Sequence, residues 1–331
     1  MTSENAQPTR IYLPDTDREL PREIPTGFEK YSDFQQMNSG ATAVLYSCMD
    51  TVVGRTVALK RLLPRYAHDP QERRRLLREA RITAQLQHPN TVPVYEIGQV
   101  NGEIYFTMKR IAGENLFKVI QRLSWGDAST ERAYSLDKLL EIVTQVGLAL
   151  AYAHVHGVVH RDIKPENIWL GEFGEVMLLD WGVAKVWGYP NLDGSNNPDM
   201  PAHDISQLDD AGQIQALTQT GQRPGTPLYM SPEQVLGHLY IDERTDIFSL
   251  GVVLYEMLAF KEPFRGRVIR ETFDNIIHEN PTPPREVRPE RNIPSSLEAI
   301  VFKAIEKKPE NRFTKMLEMV EAIREVRKEL Y

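Results

Sequence analysis

The stretch His160-Arg161-Asp162-Ile163-Lys164-Pro165-Glu166-Asn167 is the segment of this 331-residue chain that decides its fold and chemistry. It holds a carboxylate, Asp162, and an amide, Asn167, five positions apart. Phosphoryl transfer from a nucleotide needs Mg²⁺ on hard oxygen ligands and a carboxylate that receives the proton of the attacking hydroxyl. This loop can supply the base and one metal ligand. Asp180-Trp181-Gly182 follows at a suitable place for the second ligand.

Lys164, between these two residues, can neutralise charge on a transferring phosphoryl group. Taken singly, each Asp or Asn is more often a turn or a helix cap than a catalytic group. The interpretation therefore depends on what flanks the loop.

Composition sets the class of protein. Hydrophobic residues make up 41% and charged residues 26%, which is typical of a soluble globular domain. The net charge of −7 disfavours a dedicated nucleic-acid binder. The run Arg73-Arg74-Arg75 is interpreted as the solvated face of a helix. The only cysteine, Cys48, excludes an intrachain disulfide and fits a reducing compartment.

Two further stretches bear on localisation. Residues 1–10 are polar and have no apolar segment of the kind that secretory signals carry. The longest apolar stretch, Phe248 to Phe260, is interrupted by Glu256 and is too short to cross a bilayer, so we expect a buried helix. We expect a cytoplasmic chain without nucleic-acid or membrane partners.

Periodicity divides the chain in two. Residues 1–27 are polar and proline-rich and are interpreted as an extension. Residues 28–109 predict a β-rich part with one helix. Its strands are expected at 43–46, 56–59, 92–97 and 103–108, with a hairpin at Asn101-Gly102, and its helix at 72–86.

The larger part follows. A long helix is expected at 136–156, a hairpin at 168–179, and alternating helices and loops beyond Pro232. Residues 188–215 are rich in Asn, Asp, Gly and Pro and predict a flexible insert of unassigned role.

These motifs resemble those of protein kinases. The loop 160–167 resembles the catalytic loop, and Asp180-Trp181-Gly182 resembles the DFG motif with Trp in place of Phe. Further matches occur in the family's order: the β3 lysine motif Val57-Ala58-Leu59-Lys60, the helical Glu79, the APE-like Ser231-Pro232-Glu233, the start of a buried helix at 246–251, and the late Arg312 that pairs with Glu233. The amino-acid sequence of residues 217–234 is most similar to that of bacterial, eukaryotic-like serine/threonine kinases.

The resemblance, which covers residues 28–327, implies an α+β, two-lobed kinase fold. It implies a small β-rich N-lobe at about 28–109, a mostly helical C-lobe at about 113–327, and a long activation segment at 180–233. We expect ligands to bind in the cleft between two such lobes.

The resemblance also implies the roles of single residues. Lys60 would contact the α- and β-phosphates of ATP and be held by Glu79. Asp162 would be the catalytic base, assisted by Lys164, while Asn167 and Asp180 would bind Mg²⁺, or Mn²⁺ in its place. His160 would be structural, and a metal cluster of His154, His156 and His160 is disfavoured. The nucleotide would also meet Asn38, Ser39, Gly40, Ala43, Leu45, Ala58, Met108 and Ile111.

Substrate and regulation follow from the same resemblance. Lys164, two residues after Asp162, marks the serine/threonine branch, and Thr226 would position the acceptor. Thr218 and Thr220 stand where the family carries activating phosphates, which pair with the arginine that corresponds to Arg161. We therefore expect protein substrates and autophosphorylation. Pairing of two copies through the N-lobe is a further expectation.

The phosphate-covering loop departs from the family's G-x-G-x-x-G-x-V. Counting back from Lys60 without gaps aligns residues 38–45, in which only Gly40 is kept. Asn38 replaces the first glycine, and asparagine tolerates positive φ better than most residues. Ala43 and Leu45 are mild replacements. This departure motivates an alternative, a pseudokinase or nucleotide-binding scaffold. A kinase of small molecules is a third hypothesis. It is disfavoured because residues 225–233 resemble the segment that shapes the protein-substrate site in the family.

Overall fold

The computed structural model describes residues 23–186, 227–238 and 241–330, and these form two compact units. The first unit contains the described residues up to 84 together with 93–110. The second contains 85–92 together with the described residues from 111 onward. The first unit is therefore not contiguous in the sequence, because the short segment 85–92 between its two parts belongs to the second unit.

A five-stranded antiparallel sheet forms the first unit, with strand order β1-β2-β3-β5-β4. The strands are β1 Tyr31–Ser39, β2 Ala43–Asp50, β3 Arg55–Leu62, β4 Val94–Val100 and β5 Glu103–Lys109. The β4–β5 turn is Asn101-Gly102, in which both residues have positive φ. That is the backbone that a two-residue hairpin needs, and it confirms the hairpin that the sequence predicted.

Helix α1, Pro70–Gln85, packs on one face of this sheet. Proline stands at its first position, where a missing N–H costs nothing. Leu76 and Ala80 of the helix pack with Leu62 and Phe106 of the sheet in one buried cluster. The expected helix at 72–86 is confirmed, with its start two residues earlier.

Helices dominate the second unit. They are α2 Leu116–Ser124, α3 Ala128–Ala133, α4 Leu136–Val155, α5 Pro232–Val235, α6 Arg244–Ala259, α7 Ile269–His278, α8 Pro284–Val287, α9 Ser295–Ala304 and α10 Met316–Glu329. Helix α6 is buried at every residue from Thr245 to Ala259, as expected for its apolar sequence. It packs against α4, α9 and α10, and so forms the centre of this unit. Within the described ranges, no helix has the length and apolarity that crossing a membrane requires.

Short strands in the second unit position the predicted catalytic residues. They are β6 Gly113–Asn115, β7 Val158–Val159, β8 Ile168–Gly171, β9 Val176–Leu178 and β10 Lys185–Val186. Strands β8 and β9 form the expected hairpin, with Gly174 at φ +87° in its turn. Asn167 immediately precedes this hairpin, and Asp180 follows two residues after it. The hairpin therefore folds these two residues towards each other.

The segment 85–92 belongs to the second unit through specific hydrogen bonds. Asn90 Nδ2 donates to the Val176 carbonyl at 2.8 Å and to Gln145 Oε1 at 2.9 Å. Thr91 pairs with Leu178 in an isolated parallel bridge. The α+β class is confirmed. The expected insert at 188–215, and residues 1–22 of the expected extension, lie outside the described residues.

Candidate catalytic site

A buried carboxylate at the start of α6 holds the catalytic loop. Asp246 Oδ2 accepts the backbone N–H of His160 at 2.8 Å, and Oδ1 accepts that of Arg161 at 2.8 Å. His154 Nε2, on α4, also lies 2.8 Å from Oδ2. The loop is thereby fixed to both central helices. This permits the left-handed φ of +68° at Arg161, which an unsupported non-glycine residue would rarely adopt.

Electrostatics keep this carboxylate charged. Burial alone would raise the pKa of Asp246, but the hydrogen bond and charge of His154, with smaller contributions from His160 and Arg161, lower it below its ordinary value. The sequence predicts Asp246 only as the start of a buried helix and does not reveal that it anchors the loop. The signal was an acid at the head of an otherwise apolar stretch, because a buried charge needs partners.

His160 ties the loop to the segment after β9. Its side chain is fully buried, and burial lowers its pKa, so the ring is neutral. Nε2 lies 3.0 Å from the Leu179 carbonyl and therefore carries the proton, while Nδ1 accepts the Asp162 N–H at 3.2 Å. The ring meets Trp181 edge to face at 4.5 Å between centroids. These contacts give His160 the structural role that the sequence predicted.

Asp162 is held by two side chains of its own loop. Its Oδ2 accepts Lys164 Nζ at 2.6 Å and Asn167 Nδ2 at 3.1 Å. Burial raises the pKa of Asp162, and the charge of Lys164 opposes that rise. A carboxylate with a raised pKa is a better proton acceptor than an ordinary aspartate, which suits a general base.

Asn167 and Asp180 fit the chemistry of a magnesium site. The Asn167 amide donates through Nδ2 to the Asp162 carbonyl at 2.9 Å as well as to its carboxylate, which leaves Oδ1 as the atom suited to a cation. The backbone carbonyl of Asn167 accepts the Leu179 N–H at 2.8 Å. This bond brings the next residue, Asp180, close to Asn167. Asp180 is exposed, with φ +64°. A neutral and an anionic oxygen donor are the ligands that Mg²⁺ accepts.

The alternative metal cluster finds no support in the part of the chain that the structure describes. No group of three or more His, Cys, Asp or Glu side chains there could hold a metal ion. His154 and His160 bond to Asp246 and Leu179, and His156 Nδ1 contacts the Tyr152 carbonyl at 2.8 Å.

Arg161 is engaged with the backbone. Its Nε donates to the Val183 carbonyl at 2.7 Å, and Nη2 contacts the same oxygen. Gln234, on α5, donates through Nε2 to the Arg161 carbonyl at 2.9 Å. The sequence-predicted phosphorylation sites Thr218 and Thr220, and the substrate-positioning Thr226, lie outside the described residues.

The first unit contains the predicted phosphate-binding lysine. Lys60 Nζ, on β3, lies 2.6 Å from Glu79 Oε1, on α1. Strand register pairs Leu45 with Lys60, and Ala58 with Met108. Directly paired residues share a face of an antiparallel sheet, and alternate residues of a strand do so too. One face, the one that α1 covers, therefore presents five of the predicted nucleotide residues: Ala43, Leu45, Ala58, Lys60 and Met108. Ile111 lies in the second unit.

The altered phosphate-covering loop connects β1 to β2. Gly40 N–H donates to the Ala43 carbonyl at 2.8 Å and closes the turn, while Asn38 pairs with Leu45. Asn38 has no positive φ, so tolerance of that conformation is not what its side chain contributes here. Instead, Asn38 Oδ1 accepts the Ser39 N–H at 2.8 Å. The amide stabilises the end of the strand locally.

The match to known proteins covers nearly the whole chain. The profile of the protein kinase domain matches residues 31–326. The chain belongs to the protein kinase family. Trp181, in the Asp-Trp-Gly segment that resembles the family's DFG motif, is fully buried.

The curated kinases that this chain resembles are bacterial. It is 35% identical over 300 residues to the serine/threonine-protein kinase PknD of Chlamydia pneumoniae, covering 89% of this chain and 31% of that protein. It is 33% identical over 306 residues to PknD of Protochlamydia amoebophila, covering 90% and 30%. PknD of Chlamydia trachomatis serovar L2b is 34% identical over 299 residues, covering 89% and 31%. The kinase chain thus spans under a third of the length of these relatives.

Proposed function

We propose that this kinase chain transfers the γ-phosphoryl group of ATP to serine and threonine hydroxyls of proteins. The observation that carries the proposal is the partly buried Asp162, hydrogen-bonded to Lys164 and Asn167 in a loop that Asp246 anchors. A site of this kind supplies a positioned base and adjacent charge, which is most of what phosphoryl transfer asks of a protein.

Asp162 accepts the proton of the attacking hydroxyl as the new bond between oxygen and phosphorus forms and the bond to the ADP oxygen breaks. Lys164 offsets negative charge on the group in transfer. Asn167 and Asp180 would hold Mg²⁺, which supplies charge neutralisation across the phosphates when bound. Lys60 would contact the α- and β-phosphates, with Glu79 fixing the direction of its ammonium group.

The preference for serine and threonine rests on two supports. Lys164 stands at the position that marks this branch by resemblance, and the related bacterial proteins are named serine/threonine-protein kinases. We propose further that the chain phosphorylates itself at Thr218 and Thr220, and that two copies pair through the N-lobe.

We also propose that the chain works in the cytoplasm. Its single cysteine is buried and free, which fits a reducing compartment.

The competing proposal is a pseudokinase that at most binds nucleotide, motivated by the loss of two glycines between Asn38 and Ala43. The ion pair of Lys60 with Glu79 and the anchored Asp162 favour activity, because a scaffold requires neither.

The decisive experiment is phosphosite mapping after incubation of the chain with Mg²⁺ and ATP, alone and with a general protein acceptor. The wild type is expected to phosphorylate serine and threonine, and Asp162→Asn to abolish this. Asp274→Asn, an exposed aspartate on α7, is the matched control and should remain active. Full activity of Asp162→Asn would contradict the assignment of the base. Nucleotide binding without transfer by the wild type would support the pseudokinase.

A mixing experiment separates self-phosphorylation from contamination. Inactive Asp162→Asn chain, distinguished by its mass, is incubated with a small amount of wild type. Phosphate on Thr218 or Thr220 of the inactive chain is expected if copies modify one another. A double Thr218→Ala, Thr220→Ala substrate should then lose most of the signal. Unchanged labelling of that substrate would exclude these two sites.

A further inference from the structure

The peptide bond between Arg161 and Asp162 is held at both of its polar ends. Gln234 Nε2 donates to the Arg161 carbonyl at 2.9 Å. The N–H of Asp162 donates to Nδ1 of the buried His160 at 3.2 Å. This peptide bond directly precedes the proposed base, and the donor to its carbonyl lies 73 residues further along the chain. Its orientation therefore depends on a contact that only the folded chain makes.

The orientation of this peptide bond affects the direction of the Asp162 side chain. A peptide plane rotates through the ψ of the residue before it and the φ of the residue after it. Arg161 already has a left-handed φ of +68°, which a non-glycine residue keeps only where neighbouring contacts hold it. Rotation of the plane would change the φ of Asp162, and with it the direction in which the carboxylate leaves the backbone. A fixed peptide plane therefore contributes to the position of the base.

Asp246 does not supply this restraint. Its carboxylate accepts the N–H groups of His160 and Arg161, which belong to the two preceding peptide bonds. An ionised carboxylate is an acceptor only and has no proton to give to the Arg161 carbonyl. The carbonyl requires a donor from another element, and Gln234 provides one.

The Gln234 side chain is itself fixed by the helix that carries it. Its Oε1 accepts the Ser231 N–H at 3.0 Å and the Ser231 hydroxyl at 3.3 Å, as part of the capping box of α5. Because Oε1 is used by these donors, Nε2 is the atom that meets the Arg161 carbonyl. The preceding residue, Glu233, is anchored by its buried ion pair with Arg312. The donor therefore stands on a helix that is held on both counts.

We propose that Gln234 is a positioning residue for the base Asp162, acting through the peptide bond between Arg161 and Asp162. The inference rests on the proposed transfer activity. A capping box is satisfied by glutamine or by glutamate, whereas an ionised glutamate cannot donate to a carbonyl. The role of Gln234 in capping α5 and its role in holding the loop can therefore be separated by exchanging one amide nitrogen for an oxygen.

The kinetic test compares two variants of this residue. Gln234→Glu keeps the acceptor for the Ser231 N–H and loses the donor, and Gln234→Leu loses both. Each is expected to lower kcat about tenfold with a general protein acceptor, because a misplaced base slows transfer, while the KM for ATP stays within about twofold. Gln121→Glu, at an exposed glutamine of α2, adds the same charge and is the matched control, with the kcat of the wild type. Circular dichroism verifies that all three variants fold.

A second readout does not depend on activity. Hydrogen exchange of the single Asp162 amide, resolved by mass spectrometry with fragmentation, should be about tenfold faster in Gln234→Glu than in the wild type or Gln121→Glu. The reason is that the peptide plane carrying this N–H is no longer held at its carbonyl.

Two outcomes would each overturn the proposal: a wild-type kcat in Gln234→Glu, which would leave the residue with a capping role alone, or unchanged exchange of the Asp162 amide in that variant. A wild type that transfers no phosphate would instead refute the proposed function. The exchange measurement would then still decide whether Gln234 holds the peptide bond.

Discussion

Arg312 and Glu233 form a buried two-pronged ion pair within the second unit. Arg312 Nη1 lies 2.7 Å from Glu233 Oε1, and Nη2 lies 2.8 Å from Oε2. Neither side chain is exposed by more than 6%. Arg312 also donates to the carbonyls of Arg244, Glu306 and Lys307. One guanidinium thereby links three separate segments, and the partner that the sequence resemblance assigned to Glu233 is confirmed.

Breaking this ion pair should lower the free energy of unfolding of the chain. Arg312→Met leaves Glu233 charged and buried without its partner, and we expect a loss of about 3–5 kcal/mol of unfolding free energy. Urea denaturation followed by circular dichroism measures it. Arg75→Met, which breaks an exposed pair with Glu72, is the control and should cost under about 1 kcal/mol. Similar losses in the two variants would contradict the role of the buried pair.

The same pair predicts a pH dependence. Burial alone would raise the pKa of Glu233, but the hydrogen bonds and charge of Arg312 lower it below its ordinary 4.5. A lowered carboxyl pKa contributes stability above the unfolded value, and this is lost as pH falls through the folded value. The difference in unfolding free energy between wild type and Glu233→Gln should be constant from pH 7 to about 5 and shrink below about 4.5. A difference that grew in acid would be inconsistent with this sign.

Among the acidic residues that hold the catalytic loop in place, Asp246 should be the one whose substitution costs the most stability. Asp246→Ala removes the acceptor of His154, His160 and Arg161 and leaves buried donors unpaired at about 1–3 kcal/mol each. We expect a loss of several kcal/mol by denaturant titration, together with loss of transfer activity. Asp274→Asn, on an exposed helix face, provides the comparison and should change stability by under about 0.5 kcal/mol. Full activity of Asp246→Ala would show that the loop holds its shape by other means.

Lys60 and Glu79 should act as one unit. Lys60→Met is expected to lower the transfer rate by about 10²–10³-fold, as the removal of one electrostatic group does in other enzymes. Because Glu79 works through Lys60, the double variant with Glu79→Gln should be no slower than Lys60→Met alone. Steady-state assays with a general protein acceptor measure both. Multiplicative losses in the double variant would indicate that Glu79 has a separate role.

Gly251 should tolerate no side chain. A Cβ there would lie 2.7 Å from Ala304 Cβ and 2.9 Å from Ile305 Cγ2, where α6 and α9 cross. Gly251→Ala should therefore destabilise the chain by about 1–3 kcal/mol, despite the better helix propensity of alanine. Ala304→Gly in the same chain removes the nearest contact and should recover part of the loss. Additive losses from the two substitutions would argue against a steric cause.

Local sequence predicted many of the elements, including four strands of the sheet and the helices α1 and α4, but it did not predict strand β1. Asn101-Gly102 predicts its hairpin because few other residues adopt the backbone that a two-residue turn needs. The apolar run to Phe260 predicts a buried helix because that much apolar surface cannot remain in water. The loop 160–167 and Asp180 indicate phosphoryl transfer because few residue types can bind magnesium and accept a proton.

Tertiary structure decided what holds those groups in place. No spacing in the sequence relates Asp246 to His154 and to the loop N–H groups, because the residues meet only when α4 and α6 pack. The roles of Asn90 and Gln234 as clamps follow from folding in the same way, and so does the strand conformation of Asn38, which local preference suggested differently. Local propensity acts over a few residues, whereas a buried charge is satisfied by whatever the fold brings to it. The sequence predicts which residues carry the chemistry, and the tertiary structure determined which residues hold them in position.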